Sequence, residues 1–269
     1  MRDWDDAYAN GAHVPGSEKL PALWAERAAA YRAGLTGLRT DIAYGAGERQ
    51  RLDLVMPEGT PKGLVVFVHG GYWMRFDKST WTDLAEGARA SGWAVALPSY
   101  TLAPAARIAE MTREIASAIT TAAGLVEGPI RLAGHSAGGH LVSRMMCDDG
   151  LLSETVFARI VSILSISGLH DLRPLLKTKM NDTLRMDDAE VSAESAALHR
   201  PRPGPALTAW VGGAERPEFI RQAELIANIW TGFDVAVRSE IEPGHNHFTV
   251  IEGLTDKGAP ITRALLGLG

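Results

Sequence analysis

The chain is predicted to fold as an α/β protein: a mostly parallel central sheet, helices on both faces and a small helical cap. Three observations carry that expectation. Apolar runs without polar alternation recur, notably Leu64-Val65-Val66-Phe67-Val68 and Trp93-Ala94-Val95-Ala96-Leu97, as in strands covered on both faces. Stretches rich in helix formers separate them, several opening at a proline or a capping residue. Alternating β and α units of this kind pack as a parallel sheet between helical layers. At 269 residues, 46% hydrophobic and 22% charged, one domain spanning 1–269 suffices to bury a sizeable core.

Taken in order, residues 1–38 form no strand and are expected to be helical. Pro21 to Tyr31 is the strongest helical piece, with Gly34 as its stop. This segment suits either a partial lid, with Trp4 and Tyr8 available to line a pocket, or a brace packed on the surface. Residues 40–44 and 51–56 flank a glycine-rich turn. Leu52, Leu54 and Met56 alternate with Asp53 and Val55, which predicts a half-exposed hairpin at the sheet edge. Strand 64–68 follows, then a helix from Ser79 to Ala90 with Gly92 beyond it. Strand 93–97 leads to a helix over about 107–123. Strand 130–133 feeds a helix from about 137, and 160–166 is the next strand. Between 170 and 204 the alternation breaks, with Pro201, Pro203 and Pro205 near its end. Short cap helices and connections over the sheet's carboxyl edge are expected there. Strand 206–211, a helix from Pro217 to about Trp230 and a last strand over 235–238 complete the chain. It holds no internal repeat and no low-complexity tract.

Composition narrows the function classes. The net charge is -5 and no lysine or arginine block stands out, so neither nucleic acid nor an anionic membrane surface is an expected partner. No apolar run is long enough to span a bilayer, and the acidic start Met1-Arg2-Asp3-Trp4-Asp5-Asp6 lacks a signal-peptide core. The single cysteine, Cys147, precludes an intrachain disulfide, fits a cytoplasmic setting and reads as a core thiol rather than a nucleophile. A small-molecule substrate is the expected partner, and a homodimer is the expected assembly if the chain self-associates.

The chemistry centres on Gly134-His135-Ser136-Ala137-Gly138. Gly-x-Ser-x-Gly between a strand and a helix is the pattern of a nucleophile elbow, a sharp turn that lifts a serine hydroxyl above the sheet. Glycines flank it because side chains there would meet the crossing strand and helix. A serine nucleophile needs a base to take its proton and an acid to orient that base. On this sheet type the partners follow in the order serine, acid, histidine, on loops after later strands. Gly212-Gly213-Ala214-Glu215-Arg216-Pro217-Glu218 and Pro243-Gly244-His245-Asn246-His247-Phe248 occupy those places. Glu215 is preferred to Glu218 as the acid, because Glu218 falls in a first helical turn where acids commonly complement the helix dipole. His247 is preferred to His245 as the base because it opens a helix-like stretch; His245 is left to shape the substrate pocket.

An oxyanion hole is expected after strand 64–68, where His69-Gly70-Gly71-Tyr72-Trp73 lets backbone amides turn inward. The amide of Ala137 supplies a further donor, and losing one such donor costs ~2.7–4 kcal/mol of barrier. His69 itself reads as structural. Trp73, Tyr72 and Tyr100 are candidate substrate contacts. His135, His140, His245 and His247 show no tight ligand spacing, so no catalytic metal and no cofactor are expected.

With these residues in hand, the chain resembles the α/β-hydrolase superfamily, and within it the kynurenine formamidase (arylformamidase) branch of the lipase/esterase group. His69-Gly70-Gly71-Tyr72-Trp73 is similar to that family's His-Gly-Gly-x-Trp motif, and Gly134 to His140 to its elbow. Ser167-Gly168-Leu169-His170-Asp171-Leu172, Pro217-Glu218-Phe219 and His247-Phe248 resemble further family stretches. The resemblance implies Ser136 as nucleophile, His247 as base and the amides of Gly71 and Tyr72 as oxyanion donors. The family usually carries aspartate where this chain has Glu215. The implied activity is hydrolysis of N-formylkynurenine to kynurenine and formate. Two rival readings are a general carboxylesterase on short acyl esters and a non-catalytic binding protein on the same fold.

Overall fold

The computed structural model describes residues 2–268. Eight strands form one sheet: β1 (Leu38–Ala43), β2 (Arg51–Val55), β3 (Leu64–Val68), β4 (Ala94–Pro98), β5 (Ile130–His135), β6 (Ile160–Ile166), β7 (Ala206–Gly212) and β8 (Val237–Glu242). Their spatial order is β1-β2-β4-β3-β5-β6-β7-β8. β2 runs antiparallel to both β1 and β4, and the other neighbours are parallel. The helices are α1 (Trp4–Tyr8), α2 (Leu20–Ala33), α3 (Glu86–Ala90), α4 (Ile108–Leu125), α5 (Ala137–Arg144), α6 (Glu154–Phe157), α7 (Asn181–Leu184), α8 (Asp188–Glu194), α9 (Pro217–Thr231) and α10 (Pro260–Leu266).

The uninterrupted apolar strands are buried on both faces because each face has its own core. Leu64, Val66 and Val68 of β3 join one cluster with α4, α5 and α9, while Val65 and Phe67 join another with α2, α3 and α10. The two-residue period of a strand sends alternate side chains to opposite layers, and each such burial contributes about 1.5–3 kcal/mol. β3 and β5 lie side by side at the centre, although β4 comes between them in sequence. That reversal of strand order opens a crevice at the carboxyl edge, where ligands bind in open parallel sheets.

Four expectations need correction. β2 is buried rather than half-exposed, since it sits between β1 and β4. Asp53 is tolerated there because its carboxylate pairs with Lys78 Nζ at 2.8 Å and accepts the Asp41 amide at 2.9 Å. The segment expected as a helix from Ser79 begins earlier, as a 3-10 stretch over Lys78–Ala85, and turns α-helical only at Glu86. Asp77, not Ser79, caps it, accepting the Ser79 amide at 2.7 Å. The last strand starts at Val237 rather than Val235, because Asp234 adopts a left-handed φ of 57° that prolongs the turn after α9. Residues 247–251 are turns, followed by a 3-10 stretch at Glu252–Thr255, so His247 does not open a helix directly.

Candidate active site

Ser136 follows β5 at the centre of the carboxyl edge, in a backbone conformation (φ 55°, ψ −114°) that few side chains adopt. The neighbouring glycines permit it. A Cβ on Gly134 would sit 2.2 Å from the Gly138 carbonyl oxygen, and one on Gly138 would sit 2.0 Å from that of Val68. The Ser136 amide donates to Ile166 O at 2.8 Å, tying the turn to β6, and α5 begins at the next residue. Strain of this kind persists only where surrounding structure over-determines it.

Glu215 and His247 come from the loops after β7 and β8. His247 Nδ1 lies 2.7 Å from Glu215 Oε2. The carboxylate can only accept, so Nδ1 carries the proton and Nε2 presents its lone pair. The other carboxylate oxygen accepts the Gly212 amide at 2.8 Å and the Ser167 hydroxyl at 2.5 Å. Two donors thereby hold the carboxylate against the imidazole. Ser167 was not singled out in sequence as a supporting residue, although it opens one of the family-like stretches. Glu218 points elsewhere. Fully buried, it accepts from Tyr8 Oη at 3.0 Å and Gln222 Nε2 at 3.0 Å and pairs with Arg221 and Arg2. It anchors the N-terminal segment.

His135 enters the sequence reading only among the histidines weighed as metal ligands. Its Nε2 donates to the His247 carbonyl at 2.9 Å, and the two rings lie 4.6 Å apart. Burial holds its pKa well below the usual histidine value, so it stands as a neutral donor that steadies the backbone of His247. Adjacency to the elbow serine was its only sequence signal.

Ser136, His135 and His247 line a cavity of about 350 Å³. Gly71 and Tyr72 line it too, on a loop whose backbone turns left-handed at Gly71 (φ 112°), Tyr72 (56°) and Trp73 (58°). Gly71 admits no side chain, because a Cβ there would sit 2.5 Å from the Arg75 carbonyl oxygen. Ala137 is fully buried at the first position of α5. Trp24, Phe76, Trp81 and Phe248 form an aromatic wall, with Trp24 and Trp81 rings 4.8 Å apart. Gly11, Ser17, Glu18 and Pro21 close the cavity from the N-terminal side.

Three candidate substrate contacts lie outside this lining. Trp73 is buried with its ring edge-on to His140 at 5.4 Å. Tyr100 stacks on His69 at 4.6 Å and donates its hydroxyl to the His69 carbonyl at 3.1 Å. Both are core residues beneath the loop. The His245 ring faces away, with Nδ1 3.2 Å from the Thr249 carbonyl and Nε2 3.8 Å from Glu242. Trp4 and Tyr8 also miss the lining, and none of residues 170–204 contributes to it. His69 donates from Nδ1 to the Gly70 carbonyl at 2.7 Å, and burial lowers its pKa to about 4. Cys147 is buried and its thiol is pushed up to about 12 by desolvation. Among the described residues no group of three His, Cys, Asp or Glu is spaced to hold a metal ion, and no helix is long and apolar enough to cross a membrane.

Comparison with known proteins agrees with this architecture. Residues 65–264 match the profile of the alpha/beta hydrolase family. The chain is 27% identical to the kynurenine formamidase of Danio rerio, over 99% of this chain and 98% of that protein. It is 48% identical to a Silicibacter sp. TM1040 protein proposed to be a thioesterase, whose crystal structure superposes with a TM-score of 0.93 over 99% of this chain and 100% of that one. An esterase from Pyrobaculum calidifontis shares the fold, at a TM-score of 0.74 and 16% identity, covering 93% and 90% of the two chains.

Proposed function

Because the chain belongs to the alpha/beta hydrolase family, we propose that it is a serine hydrolase that cleaves an aryl formamide of the N-formylkynurenine type. The observation that carries this reading is one cavity in which Ser136 and His247 meet an aromatic wall, with His247 Nδ1 held 2.7 Å from Glu215. The likeness to kynurenine formamidase supports the substrate class.

In the proposed reaction Ser136 Oγ adds to the formyl carbon while His247 Nε2 takes its proton. Glu215 keeps the imidazole in the correct tautomer and offsets its positive charge. The oxyanion is held by the amides of Gly71, Tyr72 and Ala137. Collapse breaks the C–N bond, and the departing arylamine takes the proton from His247. A formyl ester remains on Ser136, and water activated by His247 releases formate. The aromatic wall of Trp24, Phe76, Trp81 and Phe248 suits an aromatic leaving group, which gains from offset or edge-on ring contacts.

A thioester or short-chain ester substrate is the second reading, favoured by the 48%-identical Silicibacter protein. Rates on N-formylkynurenine, p-nitrophenyl acetate and acetyl-thiocholine separate the two. The formamide is expected to have the highest kcat/KM, and turnover far below that of either ester would overturn the first reading. Ser136→Ala is expected to lower kcat at least about 10⁴-fold and to abolish labelling by a fluorophosphonate probe. An intact protein that never labels would instead favour a non-catalytic binding role.

A further inference from the structure

We propose that Arg75 and Glu18 form a charge clamp at the cavity mouth that selects substrates carrying an α-amino-acid head group, a carboxylate and an ammonium on one carbon. The inference rests on the formamidase reading and narrows it. The cavity is otherwise walled by aromatic and small residues around Ser136 and His247. Arg75 and Glu18 are the lysine, arginine, aspartate or glutamate side chains that line it, and they have opposite sign.

What sets this pair apart is that each is left without a protein counter-ion. Among the described residues the Arg75 guanidinium has no carboxylate or carbonyl partner and lies 5.3 Å from the Phe76 ring. The Glu18 carboxylate likewise has no hydrogen bond or ion pair, and the two do not pair with each other. Charges elsewhere around the site are committed. Arg27 pairs with Asp83, Arg49 holds the Phe76 and Tyr100 carbonyls at 2.6 and 2.8 Å, and Arg216 pairs with Asp6.

The two charges also ride on different elements. Arg75 belongs to the loop that carries Gly71 and Tyr72, and its amide donates to the Gly71 carbonyl at 3.0 Å. Glu18 belongs to the 3-10 turn before α2. A monoanion would gain from Arg75 and be opposed by Glu18, and a monocation would meet the reverse. Only a ligand bearing both charges satisfies both groups, with a guanidinium fork matching the carboxylate in two parallel bonds. The side chain of N-formylkynurenine ends in such a head group, beyond the ring that bears the formamide.

The test uses matched ligands with and without the head group. Calorimetric titration of Ser136→Ala protein should give a Kd for L-kynurenine at least about tenfold below that for 2-aminoacetophenone, as expected for a charged hydrogen-bonding pair. In the active enzyme, kcat/KM for N-formylkynurenine should exceed that for 2'-formamidoacetophenone by a similar factor, chiefly through KM. Arg75→Gln and Glu18→Gln should each collapse both ratios towards one, with Arg75→Lys restoring part of them. Both side chains are exposed, and unchanged melting temperatures would verify that the variants fold. Equal affinity for the two amines, or ratios indifferent to both substitutions, would overturn the clamp. If both formamides are cleaved equally well, the clamp falls and the formamidase reading stands. If neither is cleaved while kynurenine still binds in an Arg75- and Glu18-dependent way, the formamidase reading falls and the clamp stands.

Discussion

Residues 2–33 and residues 170–204 both lie outside the strand–helix alternation, and both pack over the helical layers, but they are held in different ways. The 170–204 stretch is bolted to α4 and α5 through buried polar groups. Glu194 accepts from Thr112 Oγ1 at 2.7 Å and Arg144 Nε at 3.3 Å, and its carbonyl accepts from His140 Nε2 at 2.8 Å. Glu190 accepts from Arg107 Nε at 2.7 Å and from the Ala109 amide at 3.1 Å. The N-terminal segment is anchored on several separate elements instead: Tyr8 and Arg2 on Glu218, Asp6 on Arg216, Arg27 on Asp83 and Glu252, Tyr31 on Glu86 and Arg32 on Thr82. Only this second cover lines the cavity. Position in the sequence and helical composition do not tell a structural cover from a substrate-facing one; which cover borders the cavity at the sheet's carboxyl edge does.

Acid should expose that contrast most strongly. His140 and His170 are both buried and both held near a pKa of about 3 by desolvation, against about 6.5 in an unfolded chain. Below pH 6.5 the unfolded state takes up protons that the folded state refuses, so stability is complete above that pH and drains as pH falls towards 3. The loss is on the order of 2 kcal/mol per histidine by pH 5. Guanidinium unfolding at pH 7 and pH 5 measures it, and a flat profile would contradict the buried, neutral state of these rings. Glu194→Ala comes next. It strips a partner from the buried Arg144 and should cost about 3 kcal/mol, roughly 5–10 °C in Tm, while the folded enzyme keeps its KM. A large rise in KM would show that the 170–204 stretch does reach the substrate. Tyr8→Phe should have the smallest effect on stability, about 1 kcal/mol for the lost hydrogen bond, yet raise KM several-fold and speed proteolysis near residue 16. Unchanged KM with the same stability loss would make the N-terminal segment a brace alone.

The residues that sequence assigned most securely are those whose reasons are local. The elbow is legible because Gly134 and Gly138 must be glycine for the chain to cross itself. The order of Ser136, Glu215 and His247 is legible because each follows a recognisable strand. Glu215 stands nearer its strand end than Glu218, and a first-turn position does not by itself account for Glu218, whose carboxylate is a buried anchor for Tyr8 and Arg2. Of the three aromatic candidates Tyr72 lines the cavity, while Trp73 and Tyr100 lie outside its lining. Tyr72 and Trp73 are neighbours with left-handed φ of 56° and 58°, which sends one side chain to the cavity and the other into the core.

The amino-acid sequence by itself determined the alternating β and α units, the elbow and the order of the loops, since strand burial, glycine clearance and helix starts are short-range matters of sterics and periodicity. Tertiary structure alone decided which distant rings form the cavity wall, that Arg75 and Glu18 face one space, and that His135 supports His247. Those relations depend on how segments far apart in the chain cross at the sheet's carboxyl edge, and no local preference encodes the direction a side chain takes there.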